Sequence, residues 1–265
     1  MARSATTWDP AQYLRFGNER LRPALDLLAQ IPLDAPSRVI DLGCGAGNVT
    51  AILRQRFSDA DIVGVDGSEP MLGKARAAAP NCTFEQADFF QWQPRHKLDL
   101  IYSNAALQWV DRHSTLFPRL LSFLAPGGVL AVQMPNMLAT PLHQVSRQLA
   151  ASGAWSQELG DVIPQPGILS ATDYWDILRP QVQSLEMWQT TYMHALQGEN
   201  AVMEWASGSG LRPYLDRLAD GRKSVFRQAY ADAVRSHYPP RADGTTILPF
   251  HRLFIVARLA AGEPA

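Results

Sequence analysis

The chain has 265 residues, 46% hydrophobic and 18% charged, and its 24 basic and 25 acidic side chains leave a net charge of −1. That length suits one large domain with insertions or two small ones, and the composition is that of a globular protein rather than a disordered one. The charge gives no overall attraction to nucleic acid or anionic membrane, and no apolar run approaches the ~18 residues of a membrane span.

Residues 1–10 lack a signal peptide's apolar core. Trp8, Tyr13 and Phe16 then precede a helix that Pro23 opens and that Leu21, Leu25 and Leu28 pattern. The aromatic stretch reads equally as a clamp on the sheet edge or as part of an N-terminal lid, residues 1–30, over the cofactor pocket that carries Arg20 inward.

Arg38–Asp41 is a short buried strand, Gly43, Gly45 and Gly47 follow at alternate positions, and Asn48 opens a helix. Strand, glycine turn and helix form the first unit of a doubly wound α/β fold, with a ligand pocket at the strand's carboxyl end. The dinucleotide fingerprint G-x-G-x-x-G/A fails in both frames, ending on Asn48 or Thr50. The pattern D-x-G-x-G-x-G instead sets Asp41 before the turn, where a carboxylate can meet an ammonium group. Helix N–H groups after the turn face an anion. Together they suit a zwitterionic amino-acid moiety such as that of S-adenosylmethionine, with Asp41, Gly43, Cys44, Gly45 and Asn48 around it. A purely structural glycine turn is the competing reading.

Asp61–Asp66 is the second strand, and Asp66 at its end can accept from both ribose hydroxyls of an adenosine. Gly67 to Pro70 cap a helix starting at Met71, which either touches the adenine or simply packs. Asn81–Asp88 is the third strand; Asp88 can accept from the adenine amino group while Phe89 covers the ring. Leu98–Ser103 is the fourth, and Asn104, Gln108 and Trp109 follow it on the side where reacting atoms usually lie. Gln108 and Trp109 are expected to floor the pocket, with plain packing an equal reading for Trp109. An amphipathic helix over 115–124, a turn at Ala125–Gly128 and a fifth strand, Val129–Met134, complete the alternation.

Prolines at 135, 141, 164, 166 and 180 break that rhythm. Helical pieces are expected over 141–151 and 172–179, a strand over 184–193, largely helical chain over 199–238, and a closing strand over 252–258. Arg212, Arg217, Arg222, Lys223, Arg227 and Arg235 read mostly as a solvated face. Two cysteines, Cys44 and Cys82, make no disulfide framework, which points to a reducing cytoplasm. No C-x-x-C and no closely spaced histidine pair occurs, so no metal is expected.

With the loop, Asp66, Asp88 and Pro126-Gly-Gly placed, the chain resembles a class I S-adenosylmethionine-dependent methyltransferase. W-D-P-x-x-Y-L-x-F at 8–16, E-R-x-R-P at 19–23, S-N-A-A-L-Q-W at 103–109 and L-A-V-Q-M-P at 130–135 are similar to the trans-aconitate 2-methyltransferase family. So are Y-W-D-I-L at 174–178, T-T-Y-x-H at 190–194, G-L-R-P-Y-L at 210–215 and R-L-F-I-V-A-R at 252–258. Ala46 stands where relatives often have proline, and Gln189 where some carry a basic residue.

The resemblance implies a mostly parallel, Rossmann-like seven-stranded sheet with an antiparallel last strand and a helical cap. One methyltransferase domain would span 1–265, with its cofactor core over 36–134 and cap insertions over 135–183 and 194–248. It implies S-adenosyl-L-methionine as cofactor and transfer of its methyl group to a carboxylate of trans-aconitate. A carboxylate is ionised at neutral pH, so no general base is needed. Guanidinium forks suit a tricarboxylic acid. Arg212 and Arg20 are the first choices, and Arg252 is third, with a surface charge as its other reading. Tyr192, His194 and Tyr214 are further hydrogen-bonding candidates. The expected partner is this small acid, without nucleic acid or membrane, bound by a monomer. Two alternatives stand: a methyltransferase for malonyl-acyl carrier protein, docking through the basic helices, and a cofactor-binding regulator without turnover.

Overall fold

The structure is a computed structural model and describes residues 21–162, 168–208 and 210–262. The expected contribution of Trp8, Tyr13, Phe16 and Arg20 lies outside the described residues. Pro23 sits in the first turn of helix α1 (Arg22–Ala29), where a missing N–H costs nothing. Strand β1 (Arg38–Leu42) leads through the glycine loop into α2 (Asn48–Arg56). Then come β2 (Asp61–Asp66), α3 (Glu69–Ala78), β3 (Thr83–Gln86) and β4 (Leu98–Asn104). The third strand is shorter than expected because the Asp88 carboxylate accepts the Phe90 N–H at 2.8 Å and turns the chain. A 3-10 turn (Leu107–Trp109), α4 (His113–Ser122) and β5 (Leu124–Pro135) follow.

Beyond β5 come α5 (Pro141–Ala151), α6 (Ser156–Leu159) and α7 (Ala171–Leu178), which a Ser170–Asp173 capping box starts. Strand β6 (Ser184–Leu196), α8 (Ala201–Ser207), α9 (Arg212–Leu215), α10 (Asp220–Arg235) and β7 (Thr246–Arg258) complete the chain.

One seven-stranded sheet has the order β3-β2-β1-β4-β5-β7-β6. Strands β1 to β5 pair in parallel. Strand β7 runs antiparallel to β5, as the bonds Leu259 N–H to Gly128 O and Asn136 N–H to His251 O show. The chain order reverses between β1 and β4, which opens a crevice at their carboxyl ends.

The described residues divide into two compact units. The first takes those up to Met134, those from 168 to Trp188 and those from Leu253 on. Its core joins Ile40, Leu42, Ile101, Leu120, Val132 and Ile255. Tyr102 reaches from β4 to donate to the Ala24 carbonyl at 2.8 Å, fixing α1 on this core. The second unit takes the described residues from Pro135 to Val162 and from Gln189 to Arg252. Its own core joins Leu142, Trp155, Tyr214, Phe226, Tyr230 and Phe250.

Candidate active site

The glycine loop is built by backbone conformation. Gly43, Gly45 and Gly47 have φ of +81°, +53° and +80°, a region that L side chains disfavour. A Cβ on Gly47 would lie 2.7 Å from the Ala75 backbone, so this glycine also lets α2 approach α3. Gly45 differs: nothing lies within 4 Å of where its Cβ would be. Its conformation is needed for the turn, and the space beside it is open. Gly43 and Cys44 both donate to the Val65 carbonyl, at 2.7 and 3.1 Å, tying the loop to β2.

Asp41 is buried and accepts from Thr50 Oγ1 at 2.6 Å. Burial pushes its carboxyl up to about 7, against the pull of that hydrogen bond and with a further push from Asp66. The Cys44 thiol, also buried, is pushed up by desolvation and then by both aspartates. Asp66, half-buried, accepts Gly45 N–H and Ser68 N–H through different oxygens, each at 2.9 Å. Each oxygen keeps a second lone pair. Asn48, Gly67 and Asp88 are exposed, Met71 is 40% exposed, and Phe89 is half-buried with its ring tip 3.3 Å from the place of a Cβ on Gly43. Arg119 fixes this segment by donating to the Phe89 and Trp92 carbonyls at 3.0 and 2.6 Å.

The segment after β4 meets the glycine loop. A Cβ on Gly43 would fall 2.1 Å from Ala106 Cβ, and Ala105 carries a strained φ of +52°. Gln108 is only 3% exposed; its Nε2 donates to the Ala105 carbonyl at 2.7 Å. Its Oε1, like Asn104 Oδ1, is buried without a hydrogen-bond partner among the described residues. Buried acceptors left unmet cost ~1–3 kcal/mol each, and these two lie close together in sequence beside the glycine loop. Trp109 is 47% exposed.

Thus Asp41, Gly43, Cys44, Gly45, Asp66, Phe89, Asn104 and Gln108 all belong to strand ends or loops of the first unit. A separate cavity of about 440 Å³ opens beside the first residues of β1 and β2, where Arg38, Asp61 and Trp92 line it. That is the opposite end of those strands from the loop.

The remaining candidates lie in the second unit. Tyr192 and His194 are alternate residues on β6, and both are buried. The His194 ring lies 4.6 Å from Trp205 and 5.6 Å from Phe250. Arg252 is buried at 6% exposure, with its guanidinium 4.9 Å from the Phe250 ring centre. Its surface reading is therefore corrected. Alternation explains it: Thr246, Leu248, Phe250 and Arg252 all face inward on β7. Arg212 is placed differently, at the surface, 3.6 Å from Asp216 one turn along. Tyr214 is fully buried, its phenol pKa raised by desolvation, with its ring 5.8 Å from that of Phe226.

Sequence reasoning missed Thr50, Arg119, His113 and Tyr174. His113 Nδ1 meets the Tyr174 hydroxyl at 2.5 Å and its Nε2 meets the Leu107 carbonyl at 2.9 Å. The available signal was a polar pair on two apolar helix faces, Leu116, Phe117 and Leu120 flanking one and Leu178 the other.

A methyltransferase-domain family model matches residues 33–206. The trans-aconitate 2-methyltransferase of Methylobacterium radiotolerans is 48% identical over 96% of this chain and 99% of its own length. That of Yersinia pestis is 47% identical over 94% of this chain and 97% of its own. Among solved structures, the YcgJ protein of Bacillus subtilis superposes with a TM-score of 0.57 at 14% identity, covering 91% of this chain and 98% of that one. Near full-length identity at this level, with the methyltransferase domain inside it, means that the chain belongs to the trans-aconitate 2-methyltransferase family.

Proposed function

We propose that this protein transfers the methyl group of S-adenosyl-L-methionine to a carboxylate of trans-aconitate, giving its monomethyl ester. The observation that carries this reading is the 48% identity to a trans-aconitate 2-methyltransferase along 96% of the chain. The first unit fits the cofactor: open space at Gly45, two strand-end carboxylates with lone pairs to spare, and two unmet amide oxygens. When bound, the cofactor supplies an electrophilic methyl group on a sulfonium. Asp66 would hold its ribose, Asp88 and Phe89 its adenine, and Gly43 to Asn48 its amino-acid end. Asn104 Oδ1 and Gln108 Oε1 would accept from donors of the cofactor, since the ionised acid has none to give.

No residue need remove a proton, because the attacking carboxylate is already ionised. The chain's work is orientation, which can contribute effective molarities on the order of 10⁵ M or more. Carboxylate and sulfonium cancel each other's charge during the step. Strong donors on the attacking oxygen would therefore oppose it, and cations belong on the other carboxylates. Arg252 suits that task better than Arg212. It is buried beside the Phe250 ring, where a charge interaction is screened least.

The basic helices give little to a carrier-protein docking surface. Arg212, Arg217, Arg222, Lys223 and Arg235 each stand within ion-pair range of an acidic neighbour: Asp216, Asp161, Glu158, Asp220 and Glu199. Among the described residues, no helix is long and apolar enough to cross a membrane. The test is methyl transfer from labelled cofactor to trans-aconitate, with cis-aconitate, citrate and malonyl-carrier protein in parallel. Turnover of trans-aconitate well above the others is expected; turnover of the carrier protein alone would replace this reading.

A further inference from the structure

We propose that His113 and Tyr174 are positioning residues for methyl transfer, acting as a buried relay that sets the geometry of the segment after β4. This rests on the function proposed above. The relay has four members, and each hydrogen-bonding role in it is fixed. Leu169 N–H points at the Tyr174 oxygen at 3.3 Å. The Leu107 carbonyl can only accept, so neutral His113 carries its proton on Nε2 and accepts at Nδ1 the hydrogen bond of the Tyr174 hydroxyl, 2.5 Å away. The Nε2–H donates to the Leu107 carbonyl at 2.9 Å. Burial lowers the His113 pKa and raises that of Tyr174, so both stay uncharged, as this direction of donation requires.

The rings that carry the relay are held by packing. Phe117 lies 4.9 Å from Tyr174 and 5.3 Å from His113. Both relay side chains are buried, and neither belongs to the glycine loop or to the segment it steadies. That segment needs steadying. Ala105 holds a strained left-handed φ, and the side-chain bond of Gln108 and the N–H groups of Trp109 and Val110 all close within the segment. Leu107, the neighbour of Gln108, is where the relay grips it from outside. Loss of that grip leaves Gln108 Oε1 and Trp109 free to drift from the orientation that receives ligand.

The decisive variants are Tyr174→Phe, which removes one hydroxyl and keeps the ring, and His113→Gln, which keeps a donor for Leu107. His113→Phe removes both functions. For Tyr174→Phe and His113→Phe, the KM for trans-aconitate should rise about tenfold and kcat fall about tenfold, in keeping with the cost of small misplacements. The dissociation constant for S-adenosylhomocysteine should rise as well, because Gln108 Oε1 would accept from the cofactor. His113→Gln should recover most of the loss. In the cofactor-free protein, hydrogen exchange of the peptide covering 105–110 should accelerate in Tyr174→Phe while β4 stays protected.

A Tyr174→Phe enzyme with unchanged KM, or with the same exchange over 105–110, overturns the proposal. So does a loss confined to the folded fraction, which lowers apparent kcat and leaves KM alone. Should His113→Phe fail to fold, Tyr174→Phe decides alone. A wild-type chain silent towards every acid removes the proposed function instead. Accelerated exchange over 105–110 then still upholds the relay, and unchanged exchange still overturns it.

Discussion

Thr50 Oγ1 lies 2.6 Å from Asp41 Oδ2, so the first helix after the glycine loop is fastened to the buried end of the strand before it. The bond steadies the charged form of a carboxyl that burial raises from 3.8 to about 7. The folded cofactor-free chain thus holds this proton more tightly than the unfolded chain. Asp41's contribution to stability is full below pH 3.8 and is lost as pH rises through about 7. A carboxyl displaced that far on folding forfeits on the order of 4 kcal/mol once it is fully ionised. Chemical denaturation at pH 5 and pH 8 should show cofactor-free Asp41→Asn losing much less stability across that interval than the wild type.

The same carboxyl couples cofactor binding to protons. An ammonium group brought near Asp41 lowers its pKa, so binding at neutral pH should release a fraction of one proton. Titration calorimetry in two buffers of different ionisation enthalpy reads this directly. Thr50→Val, without the hydroxyl that favours the ionised form, should weaken binding and increase the proton release. Identical heats in both buffers would exclude the coupling.

Two loop glycines should fail in different ways. Gly47→Ala must push a Cβ into the Ala75 backbone at a φ of +80°, so stability should fall by several kcal/mol. Gly45→Ala meets open space and should lose only about 1 kcal/mol from backbone strain. Its deficit should appear in cofactor affinity, by tenfold or more. Thermal melts and equilibrium binding on the two proteins separate these outcomes.

The arginines offer the sharpest comparison. Arg212→Ala removes an exposed pair whose contribution is ~0–1 kcal/mol, and should leave KM within about twofold. Arg252→Lys keeps the charge but loses the planar fork, and should raise the KM for trans-aconitate by about tenfold or more with little change in cofactor affinity. Steady-state kinetics with both substrates varied would show the reverse order if Arg212 were the anchor.

The unmet amides make a further pair. Gln108→Leu preserves most of the side-chain volume while deleting the acceptor, and should weaken S-adenosyl-L-methionine binding by about tenfold or more. If Oε1 has no ligand to meet, this change instead relieves an unsatisfied buried group, and the variant gains stability without losing activity.

The parallel half of the fold was legible because each of its elements is patterned locally. Val39 and Ile40 are apolar and β-branched, the glycines sit where φ turns positive, Asp66 closes β2 and Asp88 follows β3 by two residues. Arg252 was harder. Read as the first residue of a strand it looks like a surface charge; only with β7 beginning at Thr246 does it fall on the inward series. The relay was harder still. His113 and Tyr174 are 61 positions apart in sequence, and nothing in either helix says that the other will lie opposite. Pairing across the core is decided by tertiary placement, which local periodicity does not encode.

The four-membered chain from Leu169 to Leu107 leaves no proton or lone pair interchangeable, and that has an evolutionary side. A change at position 113 that cannot accept from a phenol makes the phenol at 174 a liability, and the reverse holds as well. Mutational scans should therefore find the two sites strongly epistatic, with some double replacements tolerated that neither single replacement survives. Homologous sequences would drift at these positions together, by paired jumps, while the helices around them vary one residue at a time.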